Sequence, residues 1–375
     1  MKLIDTELLV TGNGFDLSLG YKTDYASFYN FLLALCKAKN VDEIKAIYKD
    51  YDSKTLDKNF DEFKRISENN YFVKYLIAYK EKFESWFQFE SKLSDILIVF
   101  DHIFSSFSNA YQSLNVYEFK LEKDGALELY SSPFNDLLPG YKLDHRDYIN
   151  AQITDTDYKG PYDFFSVSKR IDYIKKDIKN KLKINLHDFK KTLGFYIHLE
   201  TNRKVESMIP RIRPSRAVTF NYSDLTEKTF SIDNDYCCHF HGKCGPNIVV
   251  GIDTESFKNP EFNIFDKCFQ RTNVHGQEKL HSLISGCKVV TYIGFSFDIC
   301  DSSFVKYIFD VKDIEHIILF KDKDGKDDLV ENIIQIIGKK KFTDLMNDGK
   351  FSFYPLNKNV ITQEEYKKLL EHDPE

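Results

Sequence analysis

Short apolar runs rich in β-branched residues occur near both ends of the chain, and helical patterns fill most of the stretch between them. The runs cover residues 7–11, 217–220, 236–238, 248–250, 289–293, 314–320 and 351–354. Runs of this length, separated by loops or helices, are typical of buried parallel strands. Because the first run has no strand partner nearby, we expect it to join the later strands in one sheet.

The intervening stretch carries apolar residues at intervals of three and four, which is typical of amphipathic helices. One such stripe covers residues 72–104, and a second runs from about 164 to 200. Residues 40–70 are more polar and predict a surface connection of short helices. Glycines and prolines over 105–160 favour loops with short strands or turns.

These patterns predict an α/β protein with a Rossmann-like parallel sheet flanked by helices. A large, mostly helical insertion follows the first strand–helix unit. We assign residues 1–30 and 205–375 to a nucleotide-binding α/β domain and residues 31–204 to the insertion. The insertion separates the first strand from the rest of the sheet, so it is placed to cover a site at the sheet edge as a lid.

Composition narrows the class of protein. The 375 residues are 42% hydrophobic and 29% charged, which indicates a packed globular chain rather than a disordered one. Acidic residues follow Met1-Lys2 where a signal peptide would have an apolar stretch, and no apolar run reaches membrane-spanning length. The seven cysteines are odd in number and form no CxxC pair, which suits a reducing compartment. These features predict a cytoplasmic protein with no membrane partner.

The charge is distributed unevenly along the chain. The net charge is −6, yet residues 169–216 hold 14 Lys and Arg against 5 Asp and Glu. A basic segment can bind or help to cleave nucleic acid, although solvated helix faces are often basic without such a role. Nucleic acid therefore stays open as a partner through this segment.

Four of the predicted strands end in glycine or polar motifs. The motifs are Gly12-Asn13-Gly14-Phe15-Asp16, Phe220-Asn221-Tyr222-Ser223, His239-Phe240-His241-Gly242, and the segment from Gly294 to Asp301. Ligands of a parallel sheet bind outside the carboxyl ends of its strands, so we expect the four motifs to meet there. Bare backbone at a helix N-terminus, as after the first strand, favours a phosphate.

The residue types in these motifs suggest chemistry, each beside a purely structural alternative. Asn221 can cap a helix, or it can orient a water or a ribose hydroxyl. His241 can be a buried structural histidine, or a general acid or base at cytosolic pH. Asp16 can be a first-turn acid, or it can stabilise positive charge that develops on a substrate.

Two further features of the sequence could belong to a functional site. Five Cys and His residues cluster over residues 237–244, but their spacing matches no zinc motif, and we predict no metal. Glu90 lies in the middle of the apolar stripe at 72–104. A carboxylate there needs a partner, and we favour a structural ion pair over a site residue with a raised pKa.

The order of the four motifs resembles the AbiH family of bacterial abortive-infection proteins. The resemblance covers residues 8 to about 301 and includes Thr23, Tyr25 and a Trp-x-x-Phe-Glu-x-x-Leu run from Trp86 to Leu93, with FNYS where the family usually has FNYT. It implies a role in defence against phage, in which an infected cell stops growing or dies. A phage-derived trigger and a homo-oligomer are both compatible with that role.

More distantly, the same order looks like the sirtuin-like fold, which in defence proteins implies cleavage of NAD at the nicotinamide–ribose bond. That resemblance implies that Asn221 positions water, that His241 is the acid or base, and that Asp16 stabilises charge. The candidate residues for binding NAD or a related nucleotide are Gly12, Asn13, Gly14, Phe15, Tyr222, Gly242, Gly294, Ser296 and Asp301. The chain has no paired-cysteine zinc module, which argues against a protein deacylase, and no prosthetic group is predicted. A non-catalytic nucleotide sensor is the main alternative.

Overall fold

The computed structural model describes residues 3–78, 164–245, 247–251, 260–274 and 277–372. Between the first two ranges it also describes residues 88, 90, 97, 98, 100, 101, 118–120, 141–143 and 150–153. The predicted helix over 72–104 and the predicted loops over 105–160 therefore lie largely outside the described residues. Among the described residues, no helix combines the length and the apolar composition needed to cross a bilayer.

The described strands are β1 (Ile4–Thr11), β2 (Glu118–Lys120), β3 (Tyr141–Leu143), β4 (Asn150–Ile153), β5 (Met208–Pro210), β6 (Ile212–Thr219), β7 (Cys237–His239), β8 (Val289–Ile293), β9 (Glu315–Phe320), β10 (Phe351–Pro355) and β11 (Val360–Thr362). Six of them form one parallel sheet in the order β10-β9-β8-β1-β6-β7. The first strand joins the later strands in one sheet, as predicted, and lies between β8 and β6. The other strands form a three-stranded antiparallel sheet, β2-β4-β3, and an antiparallel pair, β5 and β11.

The described helices are α1 (Asn13–Ser18), α2 (Tyr25–Lys37), α3 (Val41–Ile47), α4 (Ser53–Asn69), α5 (Tyr71–Ala78), α6 (Phe164–Thr201), α7 (Leu225–Phe230), α8 (Lys267–Val274), α9 (Gln277–Ile284), α10 (Ser302–Asp310), α11 (Lys323–Ile337), α12 (Lys339–Asn347) and α13 (Gln363–His372). Helices α9, α10 and α11 contribute to the core on one face of the sheet, and α1, α7 and α13 to the core on the other. The fold is therefore a parallel sheet flanked by helices, as the sequence predicts.

The apolar run at residues 8–10 of β1 is explained by the helices that pack on both faces of the sheet. Successive side chains of a strand point to opposite faces of the sheet. Leu8 and Val10 pack in one core and Leu9 in the other, and all three are fully buried. Both faces exclude water over residues 8–10, so this part of the strand has no polar alternation.

The connections reverse direction at β1. The chain passes from β1 to β6 and β7 on one side, then returns to β8 on the other side and continues outward to β9 and β10. The reversal lies between β1 and β8. In doubly wound sheets this switch point marks where ligands bind, at the carboxyl ends of the strands.

The helices between β1 and β6 share an aromatic core. Phe31 of α2 packs against Tyr196 of α6, and Phe63 of α4 stacks on Phe195 with ring centroids 4.0 Å apart. The predicted second helical stripe is confirmed by α6, which runs from Phe164 to Thr201. The division of the chain into an α/β domain and an insertion stays a prediction.

Two predictions about local structure were wrong. Residues 40–70 are not a surface connection, because α4 has 17 residues and buries four apolar side chains against its neighbours. Residues 248–250 are buried but form no strand. Their amides are used elsewhere, since Val249 donates to the carbonyl of His241 and Val250 to the side chain of Gln270.

Candidate active site

A cavity of about 340 Å³ lies at the carboxyl ends of β1, β6, β7 and β8. All four sequence motifs contribute to its wall. The predicted site residues that line it are Gly12, Asn13, Gly14, Asp16, Asn221, Tyr222, His241, Gly294, Ser296 and Asp301. The structure therefore brings together residues that lie up to 289 positions apart.

Phe15 and Gly242 lie outside the wall of this cavity. Phe15 is fully buried and stacks on Phe230, with ring centroids 5.7 Å apart. Gly242 has a φ of +79°, and a Cβ there would lie 1.9 Å from the carbonyl oxygen of Asn247. Both residues shape the turns that carry the site, and neither faces the cavity.

The glycine turns after β1 and β8 pack backbone against backbone. A Cβ on Gly12 would lie 2.5 Å from the carbonyl oxygen of Gly294, and one on Gly14 would lie 2.8 Å from the Gly294 Cα. The amide of Gly14 donates to the Gly294 carbonyl, and that of Phe15 donates to the Gly12 carbonyl. The close approach of the two turns therefore explains the glycines at these positions. The amides of Gly14 and Phe15 are already hydrogen-bonded within the protein.

The side chain of Asn221 is positioned by a hydrogen bond to the carboxyl group of Asp16. The Asn221 Nδ2 donates to Asp16 Oδ1 at 2.6 Å and to the Gly12 carbonyl at 3.0 Å, while Ser223 Oγ donates to Asp16 Oδ2 at 2.7 Å. Two acceptors fix the amide nitrogen, so the side-chain oxygen Oδ1 is turned away from them. Within the described chain, Asn221 Oδ1 has no hydrogen-bond partner and remains an acceptor at the cavity wall.

Asp16 has an unusual proton affinity. Burial raises its pKa to about 7, although hydrogen bonds from Ser223, Thr23 and Asn221 lower it. Its side chain is fully buried and lies at the cavity wall beside Asn221, to which its Oδ1 is hydrogen-bonded. Asp16 therefore positions Asn221, and its role in stabilising substrate charge stays a prediction.

His241 forms a buried pair with Asp301. The His241 Nε2 lies 3.1 Å from Asp301 Oδ1, and the edge of the imidazole packs against Phe220. Burial would raise the pKa of Asp301, but His241, Lys267 and Arg271 together hold it below its ordinary value. The carboxylate of Asp301 lies where it orients His241, and its predicted contact with ribose stays a prediction. No described residue contacts His241 Nδ1 by a hydrogen bond.

Glu90 forms the ion pair that the sequence favoured. Its Oε2 lies 2.5 Å from Lys267 Nζ, and both side chains are more than nine-tenths buried. The amide of Gly251 approaches the other carboxylate oxygen at 3.4 Å. Both members of the pair also line the cavity. Glu90 therefore forms a structural ion pair and also belongs to the wall of the candidate site.

His239 lies outside the cavity wall and belongs to another cluster. Its Nε2 lies 2.7 Å from Glu227 Oε1, which also accepts from Lys243 at 2.9 Å. Burial raises the pKa of Glu227, but His239 and Lys243 outweigh it and lower the value to about 2. Cys237 completes a group of donor types that zinc accepts, with donor atoms within 4.8 Å of one another. The existing partners already neutralise the carboxylate.

The basic segment at 169–216 is partly neutralised in the fold. Lys191 pairs with Glu62 of α4, Arg203 pairs with Glu200, and Lys190 donates to Gln270. The cationic side chains in these contacts belong to the segment that the sequence offered as a nucleic-acid-binding surface. The contacts leave fewer of these charges for a polyanion.

Several residues that line the cavity were not predicted from the sequence. Those outside the motifs are Thr23, Asp24, Tyr25, Ile197 and Lys267. Thr23 and Tyr25 did carry a signal, because both belong to the AbiH pattern. Ile197 and Lys267 carried none, since an apolar helix position and a lone lysine look alike at many places in the chain.

The fold and the cavity define a doubly wound α/β protein with a polar site at the switch point of its sheet. The chain belongs to the AbiH family, since the family model described as bacteriophage abortive infection AbiH matches residues 8–320. Membership implies a bacterial anti-phage role by abortive infection. The chain matched none of the curated proteins and none of the solved structures with which it was compared. The sirtuin-like resemblance stays a prediction.

Proposed function

We propose that the cavity binds a nucleotide and hydrolyses its N-glycosidic bond, with NAD as the substrate in abortive infection. The observation that carries the proposal is the pairing of two open acceptors in one cavity, Asn221 Oδ1 and His241 Nδ1. Each belongs to a side chain whose other polar atoms are fixed by the protein. Such preorganised groups suit a reaction that needs an oriented water.

The chemistry assigns a role to each group. Water attacks the anomeric carbon while the bond to nicotinamide breaks, and the nicotinamide nitrogen keeps the electron pair. Positive charge builds on the ribose, as in glycoside hydrolysis. Asn221 Oδ1 accepts a hydrogen bond from the attacking water, and His241 takes the water's second proton. The products are nicotinamide, ADP-ribose and one proton.

Asp16 and Asp301 support these two residues. Asp16 holds the Asn221 amide so that its oxygen faces the cavity. Asp301 accepts from His241 Nε2 and balances the positive charge that the imidazole gains when it takes a proton. Neither carboxylate needs to touch the substrate for this role.

Nicotinamide release from NAD by the purified chain tests the proposal. We expect His241→Ala and Asn221→Ala to lower kcat/KM by about 10²–10⁴-fold, the range for loss of a general base or a positioned water. His281→Ala is the matched control, because His281 is exposed on α9 and contacts Tyr307. Equal release by wild type and both site variants contradicts the proposal. Saturable NAD binding without release favours a nucleotide sensor instead.

A further inference from the structure

The described wall of the cavity is rich in carboxyl groups and poor in free cations. Lys267 is the one lysine or arginine among the described residues that line it. The carboxyl groups belong to Asp16, Asp24, Glu90, Asp298 and Asp301. A site that binds a diphosphate normally offers cationic side chains or free backbone amides to the phosphate oxygens.

Lys267 is not available to a phosphate. Its ammonium lies 2.5 Å from Glu90 Oε2, and its side chain is only 3% exposed. Moving it to an anionic ligand would leave the Glu90 carboxylate buried without its partner. An unpaired buried charge of that kind is strongly destabilising, so the ion pair opposes such a move.

The backbone after β1 offers little to a phosphate either. The amides of Gly14 and Phe15 donate to carbonyls of the protein, and α1 has only six residues. The space that Cβ atoms would fill at Gly12 and Gly14 is taken by Gly294 and Phe295. The turn that resembles a phosphate loop in sequence is packed tightly against the turn after β8.

The same wall suits a cationic nucleoside. Its volume of about 340 Å³ lies near the lower end of the roughly 300–1,000 Å³ typical of small-molecule sites. Phe220 and Tyr222 bring aromatic rings to it, and aromatic faces attract cations. Asn221 Oδ1 and the carboxyl groups accept hydrogen bonds, which ribose hydroxyls can donate.

We propose that this cavity recognises its substrate through the nicotinamide riboside portion alone, and that the diphosphate and adenosine are not gripped by it. The inference rests on the proposed function for its catalytic part. When remote parts of a substrate supply binding energy, truncated substrates lose turnover. Nicotinamide mononucleotide and nicotinamide riboside are therefore cleaved nearly as well as NAD.

The first test measures nicotinamide release from these three compounds by the full chain. We expect their kcat/KM values to agree within about tenfold, because the shared nucleoside supplies the recognition. Release from NAD with a loss of more than about a hundredfold for the riboside overturns the inference while leaving the proposed function intact.

Calorimetric titration separates the two proposals when no compound is cleaved. Binding of nicotinamide riboside in competition with NAD, without binding of ADP-ribose, supports the inference although hydrolysis has failed. Binding of ADP-ribose in preference to the riboside overturns it. His281→Ala serves again as the control for intact protein.

A paired variant tests whether Lys267 serves the phosphates. Glu90→Gln with Lys267→Met removes both buried charges together, so neither is left without a partner. We expect the ratio of kcat/KM for NAD to that for the riboside to stay within about twofold of wild type. A selective loss of NAD cleavage assigns the lysine to the diphosphate and overturns the inference. A thermal melt confirms that the variant is folded.

Discussion

The side chain of Asn221 donates to the carboxyl of Asp16 at 2.6 Å, across 205 positions of the chain. One residue follows the first strand of the sheet, and the other follows its neighbour β6. The contact joins the two motifs that flank the cavity on this side. It makes the orientation of Asn221 at the cavity wall depend on the carboxyl group of Asp16.

The buried Asp16 makes stability depend on pH. Its pKa is raised to about 7 from 3.8, so between these values the folded chain holds a proton that the unfolded chain releases. The free energy of unfolding therefore falls as pH rises through this window, by up to roughly 1.4 kcal/mol per pH unit. We expect Asp16→Asn to flatten this decline in urea unfolding between pH 4.5 and 7. An equal slope for wild type and variant contradicts the assignment.

Asp301→Asn tests the orientation of His241. We expect kcat/KM for nicotinamide release to fall by about 10–10³-fold, because the amide no longer balances the charged imidazole. The loss should appear in kcat rather than in KM, since the change affects the group that takes the proton of the water. An increase in KM at unchanged kcat contradicts this role. Asp310→Asn, on an exposed residue of α10, is the control.

Gly294→Ala tests the contact between the two glycine turns. Gly294 has a φ of +61°, and a Cβ there would lie 2.0 Å from the amide nitrogen of Phe15. Strain and overpacking together should lower the free energy of unfolding by roughly 2–5 kcal/mol. Gly349→Ala is a matched control, because φ is +68° and its added Cβ meets nothing within 4 Å. Equal losses at both positions would show that backbone strain alone is measured.

The Glu90–Lys267 pair predicts strong non-additivity. Lys267→Met alone leaves a buried carboxylate without its partner and should cost about 3–5 kcal/mol in the free energy of unfolding. Adding Glu90→Gln should restore most of that loss, since the remaining groups are neutral. Denaturant unfolding of the four proteins gives the coupling energy. Additive losses would place the two side chains outside direct contact.

The sequence predicted the sheet well because the apolar runs of β1, β7 and β8 are buried on both faces. Leu8, Leu9 and Val10 form an apolar run whatever their partners are, so local pattern alone identifies the strand. The order of four motifs then predicted their meeting at one sheet edge. The run at 248–250 failed because burial does not specify which groups satisfy the backbone amides, and here a turn and Gln270 satisfy them.

Pairings across the site could not be read from the chain. Nothing near Asp301 distinguishes a ribose ligand from the partner of a histidine 60 positions earlier. The glycine turn after β1 looks like a phosphate loop, and only the approach of Gly294 shows that its space is filled. Helix α4 was missed for a related reason, since its polar surface residues outnumber the four that it buries.

The central place of β1 has a consequence for the order of synthesis. Val10 pairs with Val218 of one neighbour and Tyr292 of the other, so β1 waits for partners made 208 and 282 residues later. At about 5–20 residues per second, the ribosome needs roughly 15 to 60 seconds to supply the second neighbour. The wall of the cavity also includes Asp301, so the cavity is incomplete until that residue has been added. The proposed activity therefore cannot begin while the first 300 residues are being translated.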